Sequence, residues 1–216
     1  MAINEKRRQK KLARKKANRK AVVSAKKKKA SLDKMWSGVK AVAVAKNSPV
    51  EECIVRADLF SEGIGTAVVS RRMPNGSLGV GVYLLDVFCL GMKNTYFTVL
   101  SESEYYDRIG DIKENEEMES IHPSCLRKLI DGCIEFASDL GFRPQADYKT
   151  SRQLLSDFDA SVCPHTYTFG KDGKPFYISG PNETAHQARK IVDKLLHRCG
   201  EGNFEYIVNV GGPDAD

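Results

Sequence analysis

The sequence predicts an α+β fold, a mixed or antiparallel sheet with packed helices, preceded by a basic N-terminal arm that is largely disordered or helical. Three observations predict it. Strand-like apolar runs fill residues 53–100, and helical spacing then takes over before a hairpin signal, another helix and a last strand. Pro123 and Gly141, and later Asn182 and Gly200, punctuate two of those helices as a start and a stop. Charge, finally, is partitioned. Residues 1–46 hold 17 Lys/Arg and two acids, a net of +15, whereas residues 47–216 hold 17 Lys/Arg against 26 Asp/Glu, a net of −9. The overall charge of +6 therefore hides a cationic arm on an acidic body.

At 216 residues the chain has room for one ordinary domain and an appendage. The boundaries expected are a polyanion-binding arm at 1–30, a short docking helix at 31–46 and a globular domain at 47–216, with a candidate subdomain boundary near residue 120. No continuous apolar run approaches the about 20 residues that a helical membrane span requires.

The arm places Lys6, Arg7, Arg8, Lys10, Lys11, Arg14, Lys15, Lys16, Arg19 and Lys20 on every face of any helix drawn through them, and Lys26, Lys27, Lys28 and Lys29 follow as a second cluster. Between Ile3 and Val22, Leu12 is the sole large apolar residue, so no stripe exists to dock on a core. Like-charge repulsion opposes the helix in water, and phosphates would cancel it while releasing counterions. Such contacts position a protein without reading bases. The competing readings are a solubilising tail and a nuclear or nucleolar address. From Ser31, which is placed to cap, Leu32, Met35, Trp36, Val39 and Ala43 repeat at helical spacing. Lys46-Asn47-Ser48-Pro49 reads as the linker.

In the body, strands are expected over Cys53–Leu59, Ile64–Arg72, Leu78–Cys89 and Tyr96–Leu100. Pro74-Asn75-Gly76-Ser77 supplies the positive φ of a tight turn between the second and third. The third is apolar on both alternating faces, as in a central strand covered on both sides. An acidic helical stretch spans 101–119. Its eight acids between Glu102 and Glu119 face only Arg108 and Lys113, which suggests a resting place for the basic arm. A helix from Pro123 repeats Leu126, Leu129, Ile130, Cys133, Ile134, Ala137 and Leu140, and another covers Asp147 to Phe158. The segment 165–180 reads as a hairpin turning at Asp172-Gly173. After Asn182 as N-cap, a helix presents Ala188, Ile191, Val192, Leu195, Leu196 and Cys199 on one face. The final strand alternates Phe204, Tyr206, Val208 and Val210.

Candidate chemistry in the body is sparse. Six cysteines include no Cys-x-x-Cys pair, so a zinc ribbon or finger lacks its local half. Cys89, Cys133 and Cys199 sit on apolar faces as small hydrophobes. A helix sets His197 and Cys199 about 200° apart. Cys163 with His165, and His122 with Cys125, are spaced to share a composite site, but packed thiols in a reduced protein are the reading favoured. No metal and no cofactor are assigned. Asp86 shares a strand face with Val82, Leu84 and Phe88, so its carboxylate requires a hydrogen-bonding partner, a cation or a raised pKa. Asp58 is its candidate companion, and His165, on a face with Tyr167 and Phe169, is a third candidate. Gly63-Ile64-Gly65-Thr66 is too short for a nucleotide loop. Ser179-Gly180-Pro181-Asn182 leads into a helix start and offers only generic anion affinity.

The function expected is nucleic-acid binding, as an accessory or regulatory protein held on structured RNA or the ribosome by its arm. The acidic body would then serve a protein partner, in the cytoplasm, or in the nucleus or nucleolus of a eukaryote. Two alternatives stand beside it. One is a hydrolase of nucleic acid or nucleotide using Asp86, Asp58 and His165. The other is a protein adaptor whose arm is a localisation signal.

Overall fold

The structure, a computed structural model, describes residues 39–208, and the chain divides after Ala41 into two units. The basic arm, Ser31, Leu32, Met35, Trp36 and Val210 lie outside the described residues. The first described element is helix α1, Val39–Ala45. The stretch after it is a bound turn rather than a loose linker. Lys46 N–H donates to Val42 at 2.9 Å, and the Arg71 guanidinium takes the carbonyls of Lys46 and Ser48 at 2.9 and 2.8 Å. A buried guanidinium needs such acceptors.

Five antiparallel strands follow: β1 (Val50–Arg56), β2 (Ile64–Arg72), β3 (Leu78–Asp86), β4 (Gly91–Leu100) and β5 (Met118–Ser120), in the order β4-β3-β2-β1-β5. A one-turn helix α2 (Leu59–Glu62) joins β1 to β2. The β2–β3 hairpin closes through Met73 N–H to Ser77 O at 2.8 Å, with Gly76 at φ 81° as the Asn-Gly pair predicts. β3 ends at Asp86 rather than Cys89, because residues 87–90 turn the chain into β4. Gly91, at φ 70°, makes that turn possible, since a Cβ there would lie 2.5 Å from that of Ala137.

Strand alternation gives the sheet two covered faces. On one, Ile54, Val68, Leu78, Val80 and Leu100 pack with Tyr105 and Ile109 of helix α3 (Glu102–Asn115). Ser101 and Glu104 form a capping box at its start. The chain then leaves the helix to pair as β5, so the acidic stretch is a helix followed by an edge strand. Glu116 at its end accepts from the Thr66 amide and hydroxyl, each at 2.8 Å. On the other face, buried Cys53, Val55, Ala67, Val69 and Leu85 meet helix α4 (Pro123–Asp139), whose Leu126, Leu129, Ile130 and Cys133 are buried. Helix α5 (Tyr148–Ser151) and a 3-10 turn (Arg152–Leu155) complete this layer, where Tyr83 O–H donates to Ser151 O at 2.8 Å.

The rest is a small parallel unit: strand β6 (Phe176–Ile178), helix α6 (Ala185–Cys199) and strand β7 (Glu205–Ile207). The expected 165–180 hairpin is reduced to its turn. Asp172 and Gly173 have φ of 53° and 80°, and a single bridge joins Lys171 to Lys174. Its arms bond elsewhere, Gly170 N–H to Val87 O and Phe176 N–H to Phe88 O, while Pro164 and Pro175 offer no donors. Thr184, not Asn182, caps α6, because Thr184 and Gln187 form a reciprocal capping box. Leu196 is exposed rather than part of the buried face, and Ala188 and Leu195 carry the contact with Tyr177 and Cys89. No helix among the described residues is long and apolar enough to cross a membrane.

Candidate functional site

Leu84 and Asp86 lie on the same side of β3 as Val80 and Val82, but α3 reaches only the other end of that face. The uncovered end forms a cleft of about 450 Å³, closed by the segment from Phe176 to Glu183 and by the residues around Gly63. Its walls are mainly apolar. Phe88 and Phe176 stand 6.1 Å apart at a tilt of 48°.

Asp86 is the buried charge of this cleft, 7% exposed. Its Oδ1 accepts from the amides of Phe88 at 3.1 Å and Cys89 at 2.8 Å, so the carboxylate also holds the β3–β4 turn. Burial raises its pKa to about 6, against the pull of the Cys89 amide and the Lys93 ammonium. Lys93 comes from a break in the β3–β4 register, where Leu84 faces Asn94 but Leu85 faces Met92. Lys93 is thus the extra residue of a β-bulge, a device that re-aims a side chain, and it too lines the cleft. Its ammonium binds Glu183 Oε1 at 3.2 Å, and the buried Tyr177 hydroxyl donates to Glu183 Oε2. Burial works against the charge of Glu183, yet Tyr177 and Lys93 together hold its pKa below the usual carboxylate value.

A second cavity, about 350 Å³, opens between β1 and α4, and His122, Cys125 and His165 all contribute to it. Three members of the grouping read from spacing thus line one cavity, but its two cysteines are joined to each other. Cys125 and Cys163 form a disulfide, with Cα atoms 4.9 Å apart at a sequence separation of 38. This corrects the expectation of packed thiols throughout, which Cys53, Cys89 and Cys133 do follow in being buried and free. His122 Nδ1 accepts from the Ser124 amide at 3.2 Å and so acts as the N-cap of α4. Among the described residues no group of three or more His, Cys, Asp and Glu is placed to hold a metal ion.

The three candidates for hydrolysis line no common cavity. Asp86 belongs to the first cleft and His165 to the second. Asp58 lines neither and is bound to Arg56 Nε at 2.5 Å. A hydrolytic centre needs its groups within hydrogen-bond reach of one reacting atom, and these do not share one. The bulged Lys93 and its partners Glu183 and Tyr177 had no signature in sequence, since a register break is a property of two paired strands. Comparison with protein-family models, with curated proteins and with solved structures finds no match.

Proposed function

We propose that the protein binds nucleic acid, as an accessory or regulatory protein held on structured RNA or the ribosome by its cationic arm. The observation that carries this reading is the charge partition, +15 over residues 1–46 against −9 over residues 47–216. Concentrating cations in one arm gives a sequence-independent grip on phosphates, and an acidic body avoids spreading along the same polyanion. A cytoplasmic location, or a nuclear or nucleolar one in a eukaryote, suits that partner.

The distribution of ion pairs supports it. Arg56, Arg71, Arg72, Lys93, Lys113 and Arg127 each meet a carboxylate within the body. Other cations of the body have no such partner, and helix α6 gathers four of them on one short element. Arg189, Lys190, Lys194 and Arg198 face a single acid in that helix, Asp193, and are exposed without ion pairs among the described residues. Lys194 and Arg198 approach the Gly141 turn, which extends this basic surface to Arg143. The body thus offers a second, smaller surface to the polyanion that the arm holds, and its acidic remainder suits a protein partner.

The test is a binding titration of the full chain on structured RNA across a salt series, with pairs of Lys and Arg between Lys6 and Lys20 changed to Gln. Each pair should weaken binding about equally on unrelated sequences and reduce the salt slope by about 1–2. A loss confined to one sequence, or affinity indifferent to salt, would count against the reading.

A further inference from the structure

We propose that the cleft between β3, β4 and the 176–183 segment binds a small organic cation, an ammonium carried on a compact apolar body. Its volume of about 450 Å³ is within the range of small-molecule sites, and its lining combines apolar side chains with a few polar ones, Asp86, Lys93 and Glu183 among them.

The charge arrangement selects the sign of the ligand. Lys93 is matched by Glu183 at 3.2 Å, and Glu62 leans towards Arg56 at 3.9 Å. Asp86 forms no ion pair among the described residues, although the residue is only 7% exposed. The turn amides favour the charge but do not require it. An Asn would supply the same Oδ1 acceptor to the Phe88 and Cys89 amides without a buried anion. Lys93 acts on Asp86 across the cleft while its ammonium is committed to Glu183, so a ligand ammonium would give Asp86 a cation in direct contact. Phe88 and Phe176 add two aromatic side chains to the same cleft, the Phe176 ring already carrying the Lys171 ammonium 4.7 Å from its centre. Ile64, Leu84 and Ile178 would take the apolar remainder.

The probe is phenethylamine, compared with 2-phenylethanol and 3-phenylpropionate, which share its apolar body and differ in charge. Each is titrated into the full chain, with binding read from backbone amide NMR shifts. The amine should bind with a Kd of about 1 mM or tighter, displacing the amides of Asp86, Phe88 and Lys93. The alcohol and the carboxylate should each bind at least about tenfold more weakly. Asp86→Asn keeps the turn acceptor, and should weaken the amine by about tenfold. Ile178→Trp at an exposed lining position should block all three probes. Tighter binding of the carboxylate, equal binding of all three, absence of saturable amine binding, or amine affinity that survives Asp86→Asn would overturn the proposal. Should Asp86→Asn not fold, the ranking of the three probes on the unaltered chain still decides it.

Discussion

Arg71 and Leu154 lie 83 residues apart and are joined by a hydrogen bond of 2.8 Å from the guanidinium Nε to the carbonyl. The same side chain, 2% exposed, donates to the carbonyls of Lys46 and Ser48, pairs with Asp157, and sits 4.9 Å from the centre of the Phe158 ring. One arginine on β2 therefore fastens the segment after α1 and the 152–158 turn to the sheet. Arg71→Met would leave the buried carbonyls of Ser48 and Leu154 without this donor, at about 1–3 kcal/mol each, whereas the half-exposed Asp157 can return to water. Arg71→Lys should recover only part of this, because a compact ammonium cannot reproduce the planar fork. Urea unfolding of the three chains measures it. Equal midpoints for the native chain and Arg71→Lys would mean that the fork geometry is irrelevant.

The cysteines should separate into three classes by reactivity. Closing a loop of 38 residues, the Cys125–Cys163 disulfide is worth about 3–4 kcal/mol, so reduction should lower the urea midpoint by a corresponding amount. Burial raises the pKa of the Cys53 thiol to about 12 and pushes those of Cys89 and Cys133 up as well. Half-buried Cys199 should therefore react first with iodoacetamide in the native protein, with the other three protected until unfolding. Peptide mass mapping reads both results. Early alkylation of Cys125 or Cys163 without a reductant would argue against the disulfide.

What the sequence made legible was mostly local. Asn75-Gly76 fixed one hairpin through its backbone preference, and Pro123 with the Leu126–Ala137 periodicity located α4 almost to the residue. The failures arise where partners are distant. The 165–180 hairpin was inferred from Asp172-Gly173, but a turn dipeptide cannot report that the flanking amides find Val87 and Phe88 instead of each other. Alternation in β7 suggested a half-buried strand, whereas Tyr206 and Ile207 are exposed because β7 is an edge with only β6 beside it. Asp86 was legible as a buried carboxylate, since strand parity put it among apolar residues. Its neighbours in the cleft were not, because Lys93 depends on a bulge and Glu183 on a segment about 90 residues away that folds back over the sheet.

Helix α6 gives a separable prediction on nucleic-acid binding. Changing Arg189, Lys190, Lys194 and Arg198 to Gln removes exposed cations that form no ion pairs among the described residues, so folding stability should change by less than about 0.5 kcal/mol per site. RNA affinity should fall and the salt slope should flatten further than in arm substitutions alone. Filter binding at two salt concentrations, beside a thermal melt, distinguishes a binding effect from an unfolding one. Unchanged affinity would confine the grip to the arm.

Asp86 gives the sharpest dependence on pH. Its pKa is about 6 in the folded chain, mainly through burial, against an ordinary value of 3.8. The folded state therefore holds the proton more tightly than the unfolded state does. Stability from this group is fully present below about pH 4, declines as pH rises, and is lost above about pH 6. The displacement corresponds to about 3 kcal/mol at neutral pH. Asp86→Asn keeps an acceptor for the Phe88 and Cys89 amides and removes the buried charge, so it should be the more stable chain at pH 7.5 by up to that amount. The advantage should shrink as pH falls and vanish near pH 4, where both side chains are neutral. Urea midpoints of the two chains from pH 4 to 8 isolate the effect, since the other titrating groups are common to both. A native chain that is the more stable at pH 7.5 would mean that the charge of Asp86 is already compensated within the fold. A more stable Asn variant would instead show a carboxylate kept at a cost to stability, as expected of a group retained for a ligand.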